Sequence, residues 1–250
     1  MSCKEAASNV TLHAVDLTIE NSTVVLREVG GEEPEDIVSY EYDTGREFFV
    51  LQLAKPLSTG SKYVLSIDFT APLRDDLRAF FRSPYKNPET GTEEYIAITQ
   101  FQITEARRSF PCFDEPGIKA KYEVSLGRTR EMASLSNMPA KQVGAAMDGS
   151  DEYVWDHFEE SVPMSSYLVA FYVGKFKYLE STTAKGVNVR VWAKPGYLDQ
   201  LVYANEVGGK VLTFFEDYFG IPFPLPKMDM IALPEHQAGA MENWGLITYK

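Results

Sequence analysis

The stretch Leu201-Val202-Tyr203-Ala204-Asn205-Glu206-Val207-Gly208-Gly209-Lys210-Val211-Leu212-Thr213-Phe214-Phe215-Glu216-Asp217-Tyr218 carries the strong helical pattern of this chain, and its surroundings decide the fold class. Leu201, Ala204, Gly208, Val211, Phe215 and Tyr218 advance by three and four residues, the spacing of one helix face. Glycine inside a helix costs about 1 kcal/mol relative to alanine, so the pair Gly208-Gly209 predicts a close backbone contact on that side. Gly220 is placed to end the helix, and Pro222, Pro224 and Pro226 prevent its continuation.

Outward from the helix, every segment reads as strand. Met228 to Leu233 follows it and is broken by Pro234. Val187, Val189 and Val191 alternate before it, and Tyr167 to Val173 is a continuous apolar run. Further upstream, Phe49, Leu51 and Leu53 alternate, as do Tyr122, Val124 and Leu126. Tyr63, Leu65, Ile67 and Phe69 do the same against Val64, Ser66 and Asp68, the period of a half-buried strand. Turn clusters such as Gly30-Gly31-Glu32-Glu33-Pro34 and Asn87-Pro88-Glu89-Thr90-Gly91 separate the runs. The pattern predicts a mainly β chain of sheets packed face to face, with an α+β carboxy-terminal part. A boundary near residue 174 divides it into residues 1–174 and 175–250.

The 250 residues are 44% hydrophobic and 13% aromatic, the composition of a folded protein with a large core. The net charge of −12 excludes a nucleic-acid partner, which needs clustered Lys and Arg, and suits cationic ligands such as peptide amino termini. No apolar run approaches the ~20 residues of a membrane helix. Membrane attachment is therefore expected only through an anchor outside this chain, and Met1 to Glu5 has no apolar stretch to serve as a signal peptide. Cys3 and Cys112 are too few for a disulfide framework. Asn9-Val10-Thr11 and Asn21-Ser22-Thr23 make Asn9 and Asn21 glycosylation candidates.

Familiar catalytic patterns are missing: there is no Gly-x-Ser-x-Gly elbow, no phosphate loop and no His-Glu-x-x-His. His13 and His157 lie in strand-like segments and read as structural, and the apolar setting of Cys112 reads as an inert buried thiol. Two segments resist so plain a reading. One is Thr99-Gln100-Phe101-Gln102-Ile103-Thr104-Glu105-Ala106-Arg107-Arg108-Ser109-Phe110-Pro111-Cys112-Phe113-Asp114-Glu115-Pro116, and the other is Pro234-Glu235-His236-Gln237-Ala238-Gly239-Ala240-Met241-Glu242-Asn243-Trp244-Gly245.

Together they resemble the zinc aminopeptidases of the aminopeptidase N family, whose exopeptidase motif Gly239-Ala240-Met241-Glu242-Asn243 matches letter for letter. Leu77 to Tyr85, Leu135 to Met138, Met164 to Phe171 and Phe223 to Lys227 agree in family order. The resemblance implies a saddle-like β-sheet domain followed by the truncated sheet start of a thermolysin-like catalytic domain. It implies peptide substrates with free amino termini. Glu242 would supply the carboxylate and Gln102 the side-chain carbonyl that hold the substrate ammonium, with tips within about 8 Å of each other, two hydrogen bonds and the nitrogen between them. Gln100 would line the pocket for the first side chain, while Gly239, Ala240 and Met241 belong to the segment that pairs with the substrate as an added strand. Many relatives carry Glu at the Gln102 position, so the amide here should grip the ammonium less strongly.

The resemblance places the zinc ligands and the catalytic Glu after Lys250, and the opening strands of the fold before Met1. No catalytic or metal residue is assigned in this chain, which by itself is expected neither to hold zinc nor to cleave peptides. His236 replaces an aromatic residue usual in the family and is expected to be a solvent-facing loop residue. A homodimer and a cell-surface, extracellular location are expected, with a cytoplasmic location as the alternative. Other readings fit less well. A non-catalytic scaffold of the same fold need not keep Glu242 and Gln102. A bifunctional epoxide hydrolase would have Gly at the Ala240 position, and a β-sandwich adhesion module leaves the second segment unexplained.

Overall fold

The computed structural model describes residues 1–250 as two compact units. The first comprises residues 1–72 and 104–115. It holds β1 (Ala7–His13), β2 (Thr18–Ile19), β3 (Val25–Glu28), β4 (Ile37–Asp43), β5 (Phe48–Leu57), β6 (Tyr63–Ser66) and β7 (Phe69–Thr70). β5 is the centre of an antiparallel β1-β5-β4 sheet, while β3 pairs with β6 and β2 with β7. Phe49, Leu51 and Leu53 alternate inward to meet Val10, Leu26 and Tyr63. The run expected as one strand from Tyr63 to Phe69 is divided, because β6 pairs with β3 and β7 with β2. Its alternation survives the corner: Tyr63, Leu65 and Ile67 all pack on this core.

Residues 104–115 join this unit through His13 and Cys112, which exchange backbone hydrogen bonds of 2.8 and 3.1 Å. The nearly buried Arg107 bonds Asp114 at 3.0 Å and Glu47 at 2.6 Å. Burial pushes the Cys112 thiol far above the usual range, and the His13 Nδ1 accepts the Asp114 backbone N–H. An acceptor already in use and a buried thiol make both residues structural.

The second unit, residues 73–103 and 116–250, contains the remaining elements. These are β8 (Ala79–Lys86), β9 (Glu93–Gln100), β10 (Ser125–Thr129), β11 (Ala133–Ser136), β12 (Ala140–Met147), β13 (Ser150–Phe158), β14 (Phe171–Gly174), β15 (Lys177–Thr182), β16 (Asn188–Ala193), α1 (Val202–Phe219), β17 (Lys227–Ala232), β18 (Ala240–Met241) and β19 (Leu246–Tyr249). They form three sheets of order β10-β13-β12, β11-β14-β9-β8 and β15-β16-β17-β19-β18. One core joins the last two sheets: Ile96 and Ile98 of β9 and Tyr172 of β14 meet Trp192, Ile231 and Leu246. The other face of the five-stranded sheet, with Val189, Val191, Met228 and Met230, packs under α1. The division expected at residues 174/175 falls between β14 and β15, inside this unit.

Two expectations need correction. Tyr167 to Val173 is not one strand but a 3-10 turn at Ser166–Leu168 followed by β14. Asn137 explains the break. Its Nδ2 donates to Leu168 O at 2.7 Å and its Oδ1 accepts Ala170 N–H at 3.0 Å, so a side chain takes the place of a strand ladder. On α1, the stripe from Leu201 to Tyr218 drifts by about 100° at 3.6 residues per turn. Leu201, Ala204 and Leu212 pack on the sheet, whereas Val211, Phe215 and Tyr218 are exposed. Gly208 is indeed a close approach, since a Cβ would lie 2.4 Å from Met230 Cε, but Gly209 meets nothing nearer than ordinary contact. Gly220 ends the helix with φ 64°. Beyond it, the buried Glu216 turns back to accept Phe223 N–H at 2.8 Å.

At the centre of the unit lies Lys227, buried at the start of β17. Its ammonium donates to Ser136 O at 2.6 Å, Gly245 O at 2.8 Å and the Asp229 carboxylate at 2.7 Å. Arg190 and the Trp192 Nε1–H also bond Asp229, at 2.6 and 2.9 Å. Burial opposes the Asp229 charge, but Lys227 and Arg190 more than offset it and hold its carboxyl below the usual range. Removing one partner of such a pair leaves a buried charge uncompensated. Lys227→Met is therefore expected to destabilise the protein by about 3–5 kcal/mol, read as a lowered urea midpoint at unchanged slope.

Candidate functional site

Of the two segments singled out in the sequence, the second and the opening residues 99–103 of the first lie in the second unit. Ile96, Ile98 and Gln100 share one face of β9, the face that packs on the five-stranded sheet. Gln100 is 6% exposed, and its Oε1 has no hydrogen-bond partner, an unusual condition for a buried acceptor. Gln102 follows the strand, exposed in a turn and joined to Ile103 by a cis peptide bond.

The second segment runs from the end of β17 through β18 to β19. β18 is the edge strand of its sheet and pairs only with β19, Ala240 opposite Tyr249 and Met241 opposite Thr248. Lys250 N donates to Gly239 O at 3.0 Å. Backbone groups alternate sides along an antiparallel strand, so the N–H and C=O of Ala240 point off the open edge. Gly239, Ala240 and Glu242 are exposed, whereas Met241 and Asn243 are buried. Met241 anchors the strand in the core, and Glu242 leaves it toward solvent.

Beyond Glu242 the chain is firmly held. Asn243 O accepts Leu246 N–H at 3.1 Å, closing a turn whose third residue, Gly245, has φ 77°. Trp244 O accepts from Asn137 Nδ2 at 2.8 Å. Gly245 O accepts from both Asp229 N at 2.9 Å and Lys227 Nζ at 2.8 Å. All three carbonyls of the turn are therefore engaged by residues of other segments or by its own closure. The Nδ2 of the buried Asn243, within the motif, has no partner and joins Gln100 Oε1 as an unsatisfied polar group.

His236 departs from expectation. It is 4% exposed rather than solvent-facing. Its Nε2 lies 3.0 Å from Thr248 Oγ1, and its Nδ1 lies 2.7 Å from Ala238 O and 3.0 Å from Ala238 N. Partners for both ring nitrogens within the fold let the ring be buried, whereas a lone polar residue in a loop segment reads as solvent-facing. Sequence reasoning also gave no role to Asn137, Lys227, Asn243 or Gly245. Asn137 and Lys227 lay within segments already marked by order, but nothing local shows that they reach across to residues 244 and 245.

No group of three His, Cys, Asp or Glu side chains gathers as a metal ion requires. The residues present do not fit zinc, and none is assigned to it. No helix is long and apolar enough to cross a membrane. Asn9 and Asn21 are both exposed.

Comparison with known proteins places this sequence among relatives. Residues 1–168 match the family model described as the peptidase M1 N-terminal domain, and residues 203–250 match the peptidase family M1 domain. The chain is 40% identical to human aminopeptidase N over 99% of its length, covering 26% of that protein. It is 41% identical to mouse endoplasmic reticulum aminopeptidase 1 over 97% of its length, and 41% identical to rice aminopeptidase M1-B over 96%, again covering 26% of each. The chain thus spans about a quarter of the length of the relatives it matches.

Two glycines of the site differ sharply in what they tolerate. A Cβ on Gly245 would lie 2.1 Å from Asn137 O, in a left-handed backbone region, while a Cβ on Gly239 would meet nothing within 4 Å. Gly245→Ala is expected to cost about 3 kcal/mol or more, and Gly239→Ala to leave thermal stability nearly unchanged. Differential scanning fluorimetry of the two variants tests this contrast.

Proposed function

This chain belongs to the peptidase M1 family, and we propose that it is the part of a zinc-dependent aminopeptidase that captures the free amino terminus of a peptide. Residues 1–174 would form the amino-terminal β domain and residues 175–250 the opening sheet of the catalytic domain. The observation that carries this reading is an exposed carboxylate, Glu242, at the end of an open edge strand, on a turn held by buried partners.

The chemistry follows from what an exopeptidase must do. It has to fix an α-ammonium at one distance from the scissile bond, so that only the first residue is removed. A carboxylate meeting that ammonium in a closing cleft attracts it more strongly than in water. Charge-assisted hydrogen bonds of this kind contribute about 1.5–3 kcal/mol each. Glu242 supplies the charge, and Gln102 a neutral acceptor, with their tips expected within about 8 Å. The outward N–H and C=O of Ala240 receive the substrate backbone as an added strand, and Gly239 leaves room for it. Gln100, with its unpartnered buried oxygen, lines the space for the first side chain. The acidic chain as a whole favours the approach of cationic termini. Zinc would take its ligands from outside residues 1–250.

A secretory location agrees with the exposure of Asn9 and Asn21, and a glycosidase-sensitive mass shift lost in Asn9→Gln and Asn21→Gln would establish glycosylation. A homodimer belongs to the same proposal and is checked by sedimentation of the full-length protein.

The deciding experiment is Glu242→Gln in the full-length enzyme. The amide keeps the shape and removes the charge, so the melting temperature should hardly move. Losing about 2–4 kcal/mol of anchoring should lower kcat/KM on a free-amine substrate by roughly 30- to 1000-fold. Turnover should fall with affinity, since a loosely held amine lets the scissile carbonyl drift. The same peptide acetylated at its amino terminus should respond little to the substitution. Equal losses on both substrates, or a collapse in melting temperature, would assign Glu242 a structural role instead.

A further inference from the structure

We propose that His236 is a positioning residue for the substrate-pairing edge, holding the backbone at Ala238 in the orientation that leaves Ala240 open to an incoming chain. The proposal rests on the reading of Ala240 and Glu242 given above, and adds a residue and a proton dependence to it.

The ring sits at the root of the segment that carries the proposed anchor. His236 and Thr248 are both buried, and Thr248 lies directly opposite Met241 across the β18–β19 pair. One side of the ring is therefore fixed to β19 through Nε2 and Thr248 Oγ1 at 3.0 Å. The other side meets both backbone groups of Ala238, which belong to the peptides on either side of that residue: Nδ1 lies 3.0 Å from the N–H nitrogen and 2.7 Å from the carbonyl oxygen. A neutral ring with its proton on Nε2 donates to Thr248 and accepts the Ala238 N–H at Nδ1. A protonated ring has donors at both nitrogens. It keeps Thr248 and turns Nδ1 toward Ala238 O, which leaves the Ala238 N–H without its acceptor. Ala238 precedes Gly239, whose carbonyl bonds Lys250, and Ala240, whose polar groups face the open edge. Reorienting the backbone at Ala238 therefore acts directly on the segment a substrate would pair with.

The charged surroundings favour the neutral ring. Burial is the main influence, lowering the His236 pKa from its ordinary value, and Lys250 at the end of β19 adds to it, while the Ala238 carbonyl works in the opposite direction. The carboxylates on the adjoining segments do not reverse this. Glu235 and Glu242 are exposed, and Asp229 on β17 is bound to Lys227 and Arg190. With the folded pKa lowered, the ring accepts the Ala238 N–H near neutral pH, and that bond is lost as pH falls through that value.

The test uses full-length enzyme carrying His236→Asn, whose neutral amide lies near the Nδ1 position, and His236→Phe, which keeps a ring without nitrogens. Hydrolysis of one free-amine dipeptide substrate is measured from about pH 8 to about pH 5, across the histidine range. Relative to His236→Asn, the wild-type kcat/KM should fall about fivefold on the acid side, the size of one lost hydrogen bond, with the change carried by KM. His236→Phe should raise KM at every pH, by a factor that stays constant relative to His236→Asn. Taking the wild-type to variant ratio cancels titration of the substrate amine and of other groups in the enzyme. Hydrogen exchange at residues 238–241, corrected for its intrinsic pH dependence, should accelerate on the acid side in the wild type and not in His236→Asn. A pH-independent ratio together with unchanged exchange would overturn the proposal. If the wild type hydrolyses no peptide, the amine-anchor reading fails, and the exchange measurement still decides whether His236 controls this segment.

Discussion

A single buried ammonium holds the second unit together. Lys227 reaches a carbonyl of the four-stranded sheet's β11, a carbonyl of the turn after Glu242, and a carboxylate on its own strand. A cation in so dry a place is costly, and three strong acceptors make it tolerable only when all are present together. That condition couples the elements. β11 cannot shift relative to β17, and the turn at 243–245 cannot open, without stranding a charge. Asn137 repeats the linkage with a neutral side chain, bridging Leu168, Ala170 and Trp244.

The proposed anchor gains its fixed position from this coupling rather than from contacts of its own. Along 240–243 the chain alternates between exposed and buried residues: Ala240 out, Met241 in, Glu242 out, Asn243 in. The buried members set the height of the backbone, and the carbonyl bonds beyond them set its direction. A carboxylate presented on such a frame costs little backbone freedom when it meets a cation, since only its side chain remains to be ordered.

The legible part of the structure was the part fixed by local pattern. Alternating valines gave β16, the alternation around Leu51 gave the centre of β5, and Gly220 with its prolines gave the end of α1. The helix stripe was read from spacing alone, which tolerates a slow drift, so its later members fell on the exposed side. The misread strand at 167–173 and the misplaced His236 share a cause. In each, a side chain distant in sequence or hidden in a loop supplies the hydrogen bonds that pattern assigns to a ladder or to water. Of the site, the motif residues are legible through resemblance, and Gln102, Gly239, Ala240 and Glu242 lie exposed. Lys227 and Asn137, which hold that surface in place, act over ninety-one and one hundred and seven residues of separation, beyond any window in which periodicity speaks.

The shortness of β18 has a consequence of its own. An open sheet edge that welcomes one peptide can equally recruit another copy of the chain and seed aggregation. Two residues of strand offer a single outward N–H and C=O pair, at Ala240, too little to template a growing sheet. Glu242 follows the strand, and its carboxylate would repel a second acidic chain. The same brevity that would limit the grip on a substrate thus guards the folded protein against edge-to-edge aggregation.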